Sequence, residues 1–152
     1  MSEAPSPKSR LLIMWTIIVI TGLFTISYSW EYGLVLPSSI FMNLIALIFL
    51  VIGIFIRIIA LIEIRNAFKI DSLVTSDIYS KTRNPTYLGF TFIIIGISIS
   101  SLAILSFIWI IVSIMTFYYV AKKEEKDLGR IFGKEYSKYK KSVPLFIPKL
   151  KK

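Results

Sequence analysis

Four apolar stretches divide the chain, and its polar residues gather between and after them. Leu11 to Trp30 and Ser39 to Ile64 each supply the ~20 apolar residues that a helix needs to cross the hydrocarbon. Arg57 interrupts the second stretch and Glu63 lies near its end, so its last two turns are expected to leave the hydrocarbon for the interface. After the polar segment Arg65 to Pro85 come Thr86 to Ile99 and Leu102 to Ala121, separated by the serine-rich Ser98 to Ser101. This spacing predicts two antiparallel helices joined by a tight serine turn. Counted from Tyr87, the first arm reaches only ~20 Å at 1.5 Å per residue, so it is expected to tilt into the protein or to start within the headgroup layer.

The tail from Lys122 places Leu128, Ile131, Phe132, Tyr136 and Tyr139 on roughly one helical face. It is expected to continue the fourth span as an interfacial helix, its basic side chains toward the headgroups. Gly129 and Gly133 weaken it by ~1 kcal/mol each against alanine, which predicts a kink or a close contact there. The ending, with Pro144 and Pro148, reads as extended chain packed back on the interface. The predicted fold class is all-α: a polytopic integral membrane protein forming a single membrane domain over residues 1–152. It has two amino-terminal transmembrane helices within 11–64, a hairpin of two more, and a C-terminal interfacial helix. Lys8 and Arg10 precede an apolar run longer than a signal-peptide core and without a small-residue cleavage site, so the first stretch is expected to remain as a helix.

Composition strengthens this reading, since 55% of the residues are apolar where ~45–50% is ordinary for a soluble domain. Eleven of the eighteen Lys and Arg residues lie after Ala121, directly behind an apolar run. A net charge of +9 so distributed fits a tail facing anionic membrane lipids, and no nucleic-acid motif accompanies it. With four spans and the amino terminus inside, Lys8, Arg10, Arg65, Lys69, Lys81, Arg83 and the tail all fall on one side. The connections Glu31 to Pro37 and Ser98 to Ser101 carry no positive charge. The positive-inside rule then puts both termini in the cytoplasm.

No cysteine and no histidine occur, which excludes disulfides, thiolate nucleophiles, imidazole bases and the usual zinc ligands; no metal site is expected. No glycine-rich nucleotide motif is present either. Chemistry must rest on Glu, Asp, Lys, Arg, Tyr or Asn, or on a bound cofactor. Asn84 before Pro85 suits the amino-terminal cap of the third helix, where a helix start also attracts anions. Glu124 and Glu125, at the inner mouth of the fourth helix, suit either a ligand's ammonium or hydroxyl groups or plain salt bridges with neighbouring lysines. Arg57 is costly inside a span, so it either serves a site or snorkels to phosphate. Tyr79 and Tyr87 are candidate pocket residues, while Tyr118 and Tyr119 suit an interfacial belt.

LVTSDIYSKTRNPTYLG (Leu73 to Gly89), a helical hairpin, and EEKDLGRIFGKEYSKYKKSVPLFIP (Glu124 to Pro148) together resemble the isoprenylcysteine carboxyl methyltransferase family and its phospholipid methyltransferase relatives. The resemblance covers the second half of the chain, making 65–152 a methyltransferase-like core. It implies S-adenosylmethionine as cofactor and a lipidic or prenylated acceptor. It further implies cofactor contacts from Asp71, Ser72, Leu73, Val74, Tyr79, Asn84, Pro85, Thr86, Tyr87 and Glu124, leaving Arg57 and Glu125 as candidate substrate contacts. Two departures stand out: Asn84 replaces the family's usual histidine, and Val120 stands where an arginine is frequent. A carboxylate acceptor needs no general base, so the missing imidazole favours carboxyl O-methylation. The alternatives are a phospholipid or amine N-methyltransferase, a sterol-reductase-like enzyme using NADPH, and a small non-enzymatic membrane subunit.

Overall fold

The computed structural model describes residues 6–68 and 72–147, with Ala67 and Phe68 described by backbone alone. Among the described residues four helices follow one another: α1, Pro7–Glu31; α2, Ile40–Phe68; α3, Pro85–Ser101; and α4, Ser106–Ser142. A 3-10 turn, Asp77–Ser80, lies between α2 and α3. At the start of α1, Ser6 accepts the amide of Ser9 (3.2 Å) ahead of a proline, whose missing N–H loses nothing there. α1, α2 and α4 are long and apolar enough to cross a membrane. Four spans were expected, but α3, at 17 residues, extends about 25 Å against ~30 Å of hydrocarbon. Large side chains such as Leu12, Phe24, Phe41 and Phe55 point outward, an arrangement hydrocarbon tolerates and water does not.

Because lipid removes most of the hydrophobic gain from helix association, close backbone approach and hydrogen bonds must supply it. Gly53 and Gly89 face each other across α2 and α3, and a Cβ on Gly53 would lie 2.7 Å from the Gly89 carbonyl oxygen. Farther along, a Cβ on Gly96 would sit 2.9 Å from the carbonyl oxygen of Ala46. α1 meets α4 through Gly22, which admits the indole of Trp109, and that indole N–H donates to the Ile18 carbonyl at 2.8 Å. The glycines at 22, 53 and 96 thus serve approach within one chain. Between the two helix pairs Tyr87 and Phe90 stack on Phe117 and Trp15 meets Phe90 edge-on, forming an aromatic core.

At one end, the α1–α2 connection pairs with the α3–α4 turn, as the amide of Leu36 donates to Leu102 (2.8 Å) and that of Ile104 to Leu34 (3.0 Å). Here the serine turn shifts from its expected place. Ser98–Ser101 remain in α3, the chain reverses over 102–105 after Leu102 takes a φ of 57°, and α4 starts at Ser106 rather than Leu102. The reversal is stabilised locally, with Ser106 donating to the Ala103 carbonyl at 2.6 Å. At the other end α4 runs on past its apolar part, which closes at Ala121, into the charged segment from Lys122. It breaks at Gly133 (φ 50°, ψ −117°), a backbone conformation only glycine adopts readily. The expected kink is therefore at Gly133, while Gly129 stays helical.

Replacing Gly53 by leucine forces α2 and α3 apart, and thermal unfolding in detergent should show a loss of about 1–3 kcal/mol. Gly129→Ala meets nothing closer than 3.9 Å and should leave stability unchanged or raised by up to about 1 kcal/mol.

Candidate functional site

The polar loop between α2 and α3 is fastened at three points. Glu63, near the end of α2, accepts the amide of Ile78 at 3.1 Å, which holds the 3-10 turn. The hydroxyl of Tyr139, beyond the Gly133 break, donates to the Tyr79 carbonyl at 2.6 Å. Past α4 the chain folds back on the loop, where Arg83 and Asn84 donate their amides to Pro144 (2.9 Å) and Leu145 (3.2 Å), and the Thr82 hydroxyl donates to Leu145 at 3.0 Å. Pro144 and Leu145 thus pack on the loop, where packing back on the interface was expected; Pro148 lies outside the described residues.

These fastenings border an open cavity of about 620 Å³. Ser72, Leu73 and Val74 line it from the loop entry, Tyr79 and Asn84 from the middle, and Thr86 and Tyr87 from the first turn of α3. Glu124, Asp127 and Leu128 close the α4 side, with Phe132, Tyr136 and Tyr139 above them. Of the residues proposed from sequence for the cofactor, eight line this one cavity; Pro85 is fully buried behind it, and Asp71 lies outside the described residues. Arg57 and Glu125 do not line it. The Arg57 guanidinium lies over the Phe90 ring, 4.0 Å from its centroid.

Sequence reasoning passed over Arg83, Asp127 and the second half of α4 as cavity residues. The aromatic face of that helix was visible, and it covers the cavity in addition to following the interface. Asn84 does occupy the cap position of α3, but its side chain makes no capping bond there and faces the cavity.

Consecutive glutamates part company, because neighbours on a helix point about 100° apart. Glu124 accepts the Tyr87 hydroxyl at 2.7 Å. Burial raises its pKa above the ordinary carboxylate value and Asp127 adds to this, while the Tyr87 hydrogen bond and Arg10 oppose it. Tyr79 is pushed up to about 12, mainly by burial, with the Thr86 hydroxyl opposing, so it stays protonated near neutrality. Glu125, 4% exposed, turns away from the cavity into a buried cluster. It pairs there with the guanidinium of Arg83, with Lys140 at 3.0 Å and with Lys122 at 3.4 Å. The salt-bridge reading suits Glu125, whose partners include two residues remote in sequence.

Glu125→Gln would leave Arg83, with only 7% of its side chain exposed, buried without a counter-charge. Thermal unfolding should register a loss of about 3–5 kcal/mol, whereas Lys122→Gln at the exposed edge of the cluster should cost no more than about 1 kcal/mol.

The profile of the phospholipid methyltransferase family matches residues 41–135, from the start of α2 to just past the break in α4. Neither the curated proteins nor the solved structures provide a match. The family match takes in well over half of the chain, including the loop, α3 and the Glu124 side of the cavity, and the chain belongs to the phospholipid methyltransferase family.

Proposed function

We propose that this protein is a membrane methyltransferase that uses S-adenosylmethionine and acts on a lipidic or prenylated acceptor at its carboxylate. The observation that carries the reading is the meeting of the loop, the first turn of α3 and Glu124 around one cavity of about 620 Å³, within the ~300–1,000 Å³ usual for small-molecule sites. Its donor set fits the cofactor's parts. Glu124, oriented by Tyr87, suits an ammonium or a pair of ribose hydroxyls. Tyr79, Phe132 and Tyr136 offer faces to a flat base. Arg83 and the start of α3 supply positive potential for a carboxylate.

When bound, the cofactor supplies an electrophilic methyl group on a sulfonium. The chain's own residues bind and orient the two reactants and keep water out. A carboxylate acceptor needs no proton removed. An amine would need a base, and Tyr79 is an unsuitable one because its hydroxyl holds its proton up to about 12. The match to phospholipid methyltransferases supports a phospholipid acceptor, and a second reading is methylation of an amine on such a lipid, in which Glu124 or Asp127 would accept the proton. The one-sided basic charge supports cytoplasmic termini, with the cavity opening to that side.

Incubation of membranes with methyl-labelled cofactor separates the readings. Label released from the lipid extract as methanol by mild alkali indicates a carboxyl ester, and alkali-stable label indicates an N-methyl group. Absence of label, together with no calorimetric binding of the cofactor or its demethylated product, would overturn both. Glu124→Gln should weaken cofactor binding roughly tenfold or more with the fold retained. Since the pKa of Glu124 is raised, wild-type affinity should fall with decreasing pH at a higher pH than an ordinary carboxylate would give, and the variant should lose that step.

A further inference from the structure

A second concavity, of about 350 Å³, runs between α1 and α4 on the outside of the helix bundle. Its residues recur at helical spacing on both helices. Arg10, Ile13, Met14 and Ile17 form one wall, and Thr116, Tyr119, Val120, Lys123, Lys126 and Arg130 the other. Polarity changes along its length. The part toward the membrane centre is apolar, with Ile13 and Ile17 exposed at 50% and 41%. The other end carries four basic residues and one acid, Asp127. Asp127 is engaged by Arg10 at 3.0 Å and by Arg130 at 3.6 Å. Among the described residues no carboxylate lies within 4 Å of Lys123 or Lys126, and the Lys123 ammonium rests 5.3 Å from the Tyr119 ring centroid.

We propose that this groove binds one anionic glycerophospholipid, its phosphate held by Lys123, Lys126 and Arg130 and an acyl chain laid along Ile13, Ile17 and Tyr119. Charge complementarity selects the occupant. The groove lies on two helices long and apolar enough to span a membrane, its apolar half matches an acyl chain, and its net positive end lies where headgroup phosphates sit. Among the described residues, Asp127 alone lines both this groove and the larger cavity. The site is thus separate from the proposed methyl-donor site yet shares a wall with it. Its existence does not depend on which reaction the protein performs.

Native mass spectrometry of the full chain, released from nanodiscs of equal phosphatidylglycerol and phosphatidylcholine, tests this. One phosphatidylglycerol should remain bound in preference to phosphatidylcholine. The double substitution Lys126→Gln, Arg130→Gln should lower its retention roughly tenfold or more, while Lys134→Gln, Lys138→Gln, on the same helix but off the groove, should not. All four side chains are surface residues, so both variants are expected to fold, and circular dichroism checks that they do. Equal retention of the two lipids, or equal loss in both double variants, would overturn the proposal. So would a chain dimer lost only in the groove variant with lipid retention unchanged, because a second copy would then be the occupant.

Discussion

Glu125 is the charge on which the basic end of this protein depends. A carboxylate this deeply buried is costly unless its charge is met, and Arg83, Lys122 and Lys140 meet it from the loop, from α4 and from beyond the Gly133 break. Three segments that would otherwise repel one another share one anion. With Arg83 fixed, the backbone amides of Arg83 and Asn84 donate to the carbonyls of Pro144 and Leu145 in the folded-back segment. With Lys140 fixed, Tyr139 reaches the Tyr79 carbonyl. The helical turn that points Glu125 away from the cavity, into its buried cluster, points its neighbour Glu124 toward the cavity, so a single pair of residues both fastens the cavity and supplies its anionic group.

The span region solves a different problem. Apolar side chains gain little from leaving lipid for each other, so the helices are held where backbones touch and where polar groups bond. Gly53, Gly89 and Gly96 allow the α2–α3 contact, and Trp109 bonds across to Ile18. α3 and the first part of α4 are thereby positioned so that Tyr87 can reach Glu124. The site is a product of packing deep in the bundle as much as of the loop above it.

Much of the cavity was legible in the residues. Proline after asparagine marks the start of α3, and it is the family resemblance, not the spacing, that gathers Tyr79, Asn84, Tyr87 and Glu124 into one place. What escaped was directional. Glu124 and Glu125 are chemically identical in the sequence, and only helix phase and the positions of Tyr87 and Arg83 separate a cavity-lining carboxylate from a structural anion. Tyr136 and Tyr139 carried an apolar-face signal that an interface and a cavity roof explain equally well. Arg57, six residues before Glu63, has no partner suggested by spacing, and its contact with the Phe90 ring arises from α2–α3 packing.

The sequence by itself determined that the chain is helical and membrane-embedded, with its basic charge at one end, because helix length, apolar runs and charge distribution are local properties that lipid and water sort without reference to the fold. Through a resemblance it also pointed to membrane methyltransferases, among which the phospholipid methyltransferase family is the one matched. The tertiary structure alone decided which side chains share a space. Tyr87 meets Glu124 across 37 positions and Tyr139 meets Tyr79 across 60, and such meetings depend on where glycines let helices approach and on which way a buried carboxylate turns.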